Sequence, residues 1–170
     1  MAEPYYYEEM DSPVGKLGIF CDEKVRRIEF DPLVNGLDAP DRSRGSNFLT
    51  AEVISQLREY FQGQRTVFDL PLDPEGTDFQ KQVWDCLREI PYGETRSYQE
   101  VAEAAGNRRA CRAVGMANHR NPISIVIPCH RVIGKDGSMT GYGGGVDKKI
   151  WLLEHERVCS GFLVPFPCSG

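Results

Sequence analysis

Apolar residues recur along this chain in two rhythms. Leu17, Ile19 and Cys21 alternate with their neighbours, and Ile28 and Phe30 do so again beyond a turn at Asp22-Glu23. That period of two predicts a β-hairpin over residues 14–30. Residues 31–46 are rich in turn formers and poor in periodic apolar positions, so they read as a loop. Leu49, Val53, Leu57 and Tyr60 or Phe61 then follow helical spacing, and a short strand is expected near Thr66–Leu70. Pro71, Pro74 and Gly76 mark a linker, so residues 1–75 are expected to form a small α/β domain with no catalytic signature of its own.

The second part, residues 76–160, is denser in helix signals. Phe79, Val83, Leu87 and Ile90 share one helix face, with Thr77 or Asp78 as N-cap, and Pro91-Tyr92-Gly93 ends that helix. Ser97-Tyr98-Gln99-Glu100 has the form of a capping box, in which the Ser and Glu side chains each satisfy an end amide. The helix it opens stops at Gly106. Asn107 is the expected cap of the next, whose stripe of Ala110, Ala113, Val114 and Ala117 is made of small residues. Two short helices joined by a glycine turn resemble a helix-turn-helix, whose second helix enters a DNA groove. Ile123, Ile125 and Ile127 predict a buried strand running into Pro128-Cys129-His130-Arg131. A glycine-rich loop (residues 141–145) and a last helix carrying Ile150, Leu153 and Glu156 follow. Residues 161–170 show no periodicity and read as a tail.

Composition narrows the class. The chain is 41% hydrophobic and 26% charged, the ordinary balance of a soluble globular protein. The first ten residues are acidic without an apolar stretch, unlike a signal peptide. The longest aliphatic run, Ile123–Ile127, is too short to cross a bilayer, so a cytoplasmic protein is expected, nuclear in a eukaryote, with no membrane partner. No C-x-x-C pair occurs and no histidine pairs with cysteines at finger spacing, so no metal site is expected. The net charge of −5 argues against nucleic acid, but its distribution reverses the argument. Arg108, Arg109, Arg112, Arg120, Arg131 and Lys135 all fall within residues 107–135, which contain no acidic residue. Phosphate contacts need clustered cations rather than a basic total.

Cys129 is the candidate nucleophile. A reactive thiol needs a base to receive its proton and access to its substrate, and His130 and Arg131 adjoin it. Neighbouring residues on an extended chain point apart, so His130 reaches the thiol only if the chain turns there or a water bridges them. Glu156 is one candidate to orient the imidazole. On these residues alone three readings stand: a group-transfer protein acting on DNA, a DNA-binding sensor with an inert thiol, and a cysteine hydrolase.

The run NPISIVIPCHRVIGKDGSMTGYGGG (Asn121–Gly145) resembles the active-site signature of the O6-alkylguanine-DNA alkyltransferases, also called methylated-DNA–protein-cysteine methyltransferases. The resemblance extends through FQKQVWDCLREIPYGETRSYQEVAEAAG (Phe79–Gly106), RAVGMAN (Arg112–Asn118) and Leu152-Leu153 to His155-Glu156, and the opening SPVGKLGIF (Ser12–Phe20) also fits. It implies a small ribonuclease-H-like α/β domain, then a mostly helical winged helix-turn-helix-like domain that carries the active site. It further implies a monomer that needs no cofactor, binds double-stranded DNA with alkylated bases, and flips the damaged nucleotide out. The alkyl group of O6-alkylguanine, with O4-alkylthymine a second candidate, would pass once and irreversibly to Cys129.

By position, His130 would draw the thiol proton through a water, with Glu156 orienting it and Asn121 holding the turn before the active-site segment. Arg112 would fill the base stack, Tyr98 would rotate the phosphate, and Arg108, Arg109 and Arg120 would add DNA contacts. Tyr142 and the Gly143 amide would donate to O6, and the Cys129 and Val132 carbonyls would receive the exocyclic amine. Lys148 would support the site, and Ser124 would line the pocket. Gly143 departs from the family, which often has a larger residue there. Some members bind a structural zinc near the N-terminus, and no ligand set for it occurs here.

Overall fold

The computed structural model describes residues 5–31, 45–139 and 145–161, and divides the chain into two compact units. The first takes the residues up to Pro74 together with Pro122–Ser124. Its sheet is antiparallel, with β1 (Tyr6–Ser12), β2 (Gly15–Cys21) and β3 (Val25–Phe30) in that order. The β2–β3 pair is the predicted hairpin. β1 was not predicted: its run Tyr6-Tyr7-Glu8-Glu9 shows no alternation in sequence, and its first four residues are all half-buried. Leu17, Ile19, Phe20 and Cys21 are fully buried, and α1 (Phe48–Phe61) packs on β1 and β2. α1 buries Val53, Leu57, Tyr60 and Phe61, the stripe its spacing predicts, and Asn47 caps it. The strand expected over Thr66–Leu70 is absent. In its place a single parallel bridge joins Leu72 to Val25, and Gln56 holds the Asp69 backbone through two hydrogen bonds of 2.9 and 3.0 Å.

The second unit comprises Glu75–Asn121 and the residues from Ile125 onward. α2 (Asp78–Arg88) is capped by Thr77, which exchanges hydrogen bonds with Gln80, and it buries Val83, Trp84 and Leu87. β4 (Arg96–Ser97) leads into α3 (Tyr98–Ala104), opened by the predicted Ser97–Glu100 box. α4 (Cys111–His119) packs on α2 and α3, and the Trp84 indole donates to the Ala117 carbonyl at 2.8 Å. α4 begins later than expected. Asn107 accepts from the Arg109 amide at 3.1 Å in a turn before the helix, and the N-cap is Ala110, with no side-chain bond. Arg108 and Arg109 therefore lie on that turn, not on α4.

The strand expected over Ile123–Ile127 is also absent. All three isoleucines are buried, but only Ile123 makes a bridge, to Ile28, and residues 124–126 turn. Ile125 has φ 72, a strained backbone for a β-branched residue, which breaks any strand there. A single-turn helix (Cys129–Arg131) follows, then β5 (Val132–Ile133), which pairs in parallel with β4. α5 (Val146–Cys159) completes the unit and packs on the Cys129 turn. Among the described residues no helix is long and apolar enough to cross a membrane.

Candidate active site

The chain does turn at the candidate nucleophile. The Cys129 amide donates to the Ile127 carbonyl at 2.8 Å, the Arg131 amide to the Pro128 carbonyl at 3.0 Å, and the Val132 amide to the Cys129 carbonyl. In this tight turn Cys129 and His130 no longer project to opposite faces, as they would on a strand. Cys129 is 4% exposed and His130 fully buried.

A buried imidazole needs a partner, and the last helix supplies it. His130 Nε2 lies 2.6 Å from Glu156 Oε2. The same carboxylate accepts from Arg131 Nε at 2.7 Å, from Arg131 Nη2 at 3.1 Å and from the Gly93 amide at 3.4 Å. Gly93 holds φ 82, a backbone that few other residues adopt. Arg131 Nη1 donates to the Ile90 carbonyl at 2.7 Å, and its guanidinium lies 5.7 Å from the Tyr92 ring centre. Burial alone would raise the Glu156 carboxyl, but His130 and Arg131 hold it well below the usual carboxylate range. Burial lowers His130 more than Glu156 raises it, so the imidazole is neutral. A neutral ring beside an anion carries its proton on Nε2, which donates to Glu156. Nδ1 is then the basic nitrogen, and it has no hydrogen-bond partner among the described residues.

Behind the turn, Lys149 is fully buried and its Nζ donates to the Val132 carbonyl at 2.5 Å. It lies 5.9 Å from the Tyr98 ring centre. Burial pushes its ammonium down, and a Cys129 thiolate would push it back up, so the two sites attract when both are charged. The lysine set into the site is therefore Lys149, not the expected Lys148, which is only half-buried. Neighbours on a helix point about 100° apart, so an assignment shifted by one residue put the wrong lysine in the site. Asn118 Nδ2 reaches the Cys129 carbonyl at 3.3 Å, and Asn121 Nδ2 the Ile127 carbonyl at 2.8 Å, so both side chains brace the segment around the thiol.

The remaining expected positions divide. Cys129, His130, Glu156, Asn121, Tyr98 and Val132 come together in the second unit. Arg108, Arg109, Arg112 and Arg120 are exposed on α4 or the turns at its ends. Arg131, counted by sequence with those cations, is instead buried as the partner of Glu156. Ser124, expected to line the pocket, belongs to the first unit, where its amide donates to the Ile28 carbonyl at 3.3 Å. Tyr142 and Gly143 lie outside the described residues. Sequence reasoning missed Arg131, Asn118 and Lys149 as site residues. One signal was present for the first: a buried Glu156 requires a cation, and Arg131 is the basic residue nearest His130.

Comparison with known proteins places this architecture. A family model described as "6-O-methylguanine DNA methyltransferase, ribonuclease-like domain" matches residues 5–74, and one described as "6-O-methylguanine DNA methyltransferase, DNA binding domain" matches residues 78–158. A methylated-DNA–protein-cysteine methyltransferase of Methanosarcina acetivorans is 46% identical over 155 residues, covering 91% of this chain and 99% of the relative. Another, from Shigella flexneri, is 46% identical over 88% of this chain and 94% of its own. The crystal structure of Mycobacterium tuberculosis O6-methylguanine methyltransferase superposes with a TM-score of 0.79 at 43% identity, covering 91% of this chain and 93% of that one. M. tuberculosis OGT solved in complex with DNA gives 0.78 at 43% identity, over 91% and 94%. The chain belongs to the 6-O-methylguanine DNA methyltransferase family.

Proposed function

We propose that this protein repairs double-stranded DNA by moving an alkyl group from O6 of guanine onto Sγ of Cys129, once and irreversibly. The observation that carries this reading is the state of His130: Nε2 is fixed by Glu156 at 2.6 Å, and Nδ1 is the basic nitrogen of the residue next to the thiol. His130 Nδ1 takes the Cys129 proton through a bridging water. The resulting sulfur attacks the alkyl carbon, the S–C bond forms as the C–O6 bond breaks, and guanine leaves with its electron pair. The Tyr142 hydroxyl and Gly143 amide donate to O6 and make guanine a better leaving group. The Cys129 and Val132 carbonyls receive its exocyclic amine. The product is a thioether with no good leaving group, so Cys129 is not regenerated, and no cofactor enters the chemistry.

A base inside a duplex is unreachable, so the nucleotide is flipped, at a cost of roughly a few kcal/mol. Insertion of Arg112 into the stack and phosphate contacts from Arg108, Arg109 and Arg120 offset that cost. Tyr98 turns the phosphate. The same displacement extends to O4-alkylthymine, which carries its alkyl group on a comparable oxygen. The protein acts as a monomer, in the cytoplasm or, in a eukaryote, the nucleus. Its domains divide at residues 75 and 76, with a tail over 161–170.

Stoichiometry tests the reading. With excess duplex containing O6-methylguanine, each chain removes one methyl and then stops. Continued turnover would favour a hydrolase, and binding without any removal would favour a sensor.

A further inference from the structure

We propose that Asn118 is a positioning residue for the ionisation of Cys129: its Oδ1 holds, together with His130 Nδ1, the water that bridges thiol and imidazole. This inference rests on the reading of His130 as the base. Asn118 sits in the last turn of α4 and is 2% exposed. The Trp84 indole, bonded to the neighbouring Ala117 carbonyl at 2.8 Å, anchors that turn. Asn118 Nδ2 donates to the Cys129 carbonyl at 3.3 Å. Turning the amide over would set oxygen against oxygen, so this bond decides which atom is which. Oδ1 is then left buried, with no hydrogen-bond partner among the described residues. An amide oxygen buried without a donor is costly, and folded proteins supply one from the chain or from water.

His130 Nδ1 is a second buried acceptor in the same condition. The carbonyl that Asn118 grips belongs to the peptide bond between Cys129 and His130, so both acceptors and the thiol are tied to one peptide unit. One water matches this set. It donates one O–H to His130 Nδ1 and the other to Asn118 Oδ1, and it accepts the Cys129 S–H, which satisfies both buried acceptors at once. In the transfer, the S–H bond breaks and its proton passes to the water oxygen. The O–H aimed at Nδ1 gives its proton to His130, the water is restored, and sulfur keeps the electron pair. The imidazolium so formed faces the Glu156 carboxylate. Asn118 neither gives nor takes a proton. Its bond to the second O–H fixes the water's orientation and keeps a lone pair on the thiol.

The test uses the full chain as wild type, Asn118→Leu, Asn118→Ala, His130→Gln and the two double variants, with folding checked by urea unfolding. Leucine keeps the size of the side chain without its polar atoms, and alanine removes the same atoms without risk of overpacking. Single-turnover transfer is measured from duplexes containing O6-methylguanine or O6-methylhypoxanthine, which lacks the exocyclic amine. Carbamidomethylation of Cys129 by iodoacetamide is followed by peptide mapping. Either Asn118 variant should slow transfer about tenfold, the effect of one hydrogen bond, by the same factor on both bases. Each double variant should be no slower than His130→Gln alone, because both residues act on one water. Losses that multiply in the double variants overturn the proposal, as do wild-type rates in both single variants. A loss confined to the guanine substrate also overturns it, assigning Asn118 to recognition of the exocyclic amine through the Cys129 carbonyl. If wild type transfers nothing from either duplex, the alkyl-transfer reading fails. The iodoacetamide rate, expected to follow the same pattern across the variants, still decides the role of Asn118.

Discussion

Arg112 and Arg131 come from the same acid-free stretch of sequence, yet their surroundings are opposite. Arg112 is exposed on α4, with Arg109 and Arg120 also exposed near its ends, while Arg108 pairs with Glu103 at 3.6 Å. Arg131 is 6% exposed, with its guanidinium bound to Glu156 and to the Ile90 carbonyl. Under the proposed function the exposed group enters the base stack, and the exposed cations beside it meet phosphate, where their contribution is long-range and salt-sensitive. The buried group serves a carboxylate, which in turn fixes the tautomer of a neutral histidine beside the thiol. Under the proposed function, basic residues close in sequence do two jobs: one set faces the polymer, and the other tunes the chemistry. Changes in the buried set should impair reaction with any substrate. Changes in the exposed set should impair reaction with duplex alone.

The largest effect belongs to the thiol: Cys129→Ala should abolish transfer from both O6-methylguanine duplex and free O6-benzylguanine in a single-turnover assay. His130→Gln removes the proton acceptor and should slow both reactions by about 10²-fold or more. Equal rates with wild type would dismiss the base role. Glu156→Gln leaves Arg131 buried without its anion, and should destabilise the fold by about 3–5 kcal/mol in urea unfolding while slowing both substrates. On the other side of the comparison, Arg112→Ala should slow the duplex reaction at least about tenfold more than the free-base reaction. Equal losses would place Arg112 with the buried set. Smallest of all, Arg109→Ala should reduce the slope of log affinity against log salt by about one, with little change for the free base.

Acid should expose the buried set selectively. His130 is held below its ordinary value of 6.5, so the unfolded chain binds a proton at a higher pH than the folded one. Stability therefore falls as pH drops below about 6.5. Glu156 is held below its ordinary value of 4.5, so its stabilisation is present above 4.5 and is lost on further acidification. Both slopes have the same sign. Urea unfolding at several pH values should show a decline beginning near 6.5, and His130→Gln should remove that first part of it.

Much of this was legible in the sequence where a local rule dominates. The stripes of α1 and α2 and the Ser97–Glu100 box follow from side-chain spacing, because burial and end-amide satisfaction act within a few residues. The Cys129-His130 pair and Glu156 were legible through their motif. The failures share a cause, in that tertiary context decided them. Ile123, Ile125 and Ile127 alternate like a strand, but a positive φ at Ile125 turns the chain while keeping all three buried. β1 carries too many half-buried polar residues to alternate, and forms because β2 offers a partner along its whole length. Asn107 looks like a cap, yet it stabilises the preceding turn. Arg131 and Lys149 look like surface cations until Glu156 and the Val132 carbonyl are placed beside them.

The central claim is that one sulfur atom receives the alkyl group, and peptide mapping of the reacted protein tests it most directly. After incubation with an O6-methylguanine duplex, the peptide containing Cys129 should carry a single methyl on sulfur, and Cys129→Ala should carry none anywhere. A methyl on Cys21, Cys86 or Cys111, or an unmodified chain alongside a repaired duplex, would contradict the account.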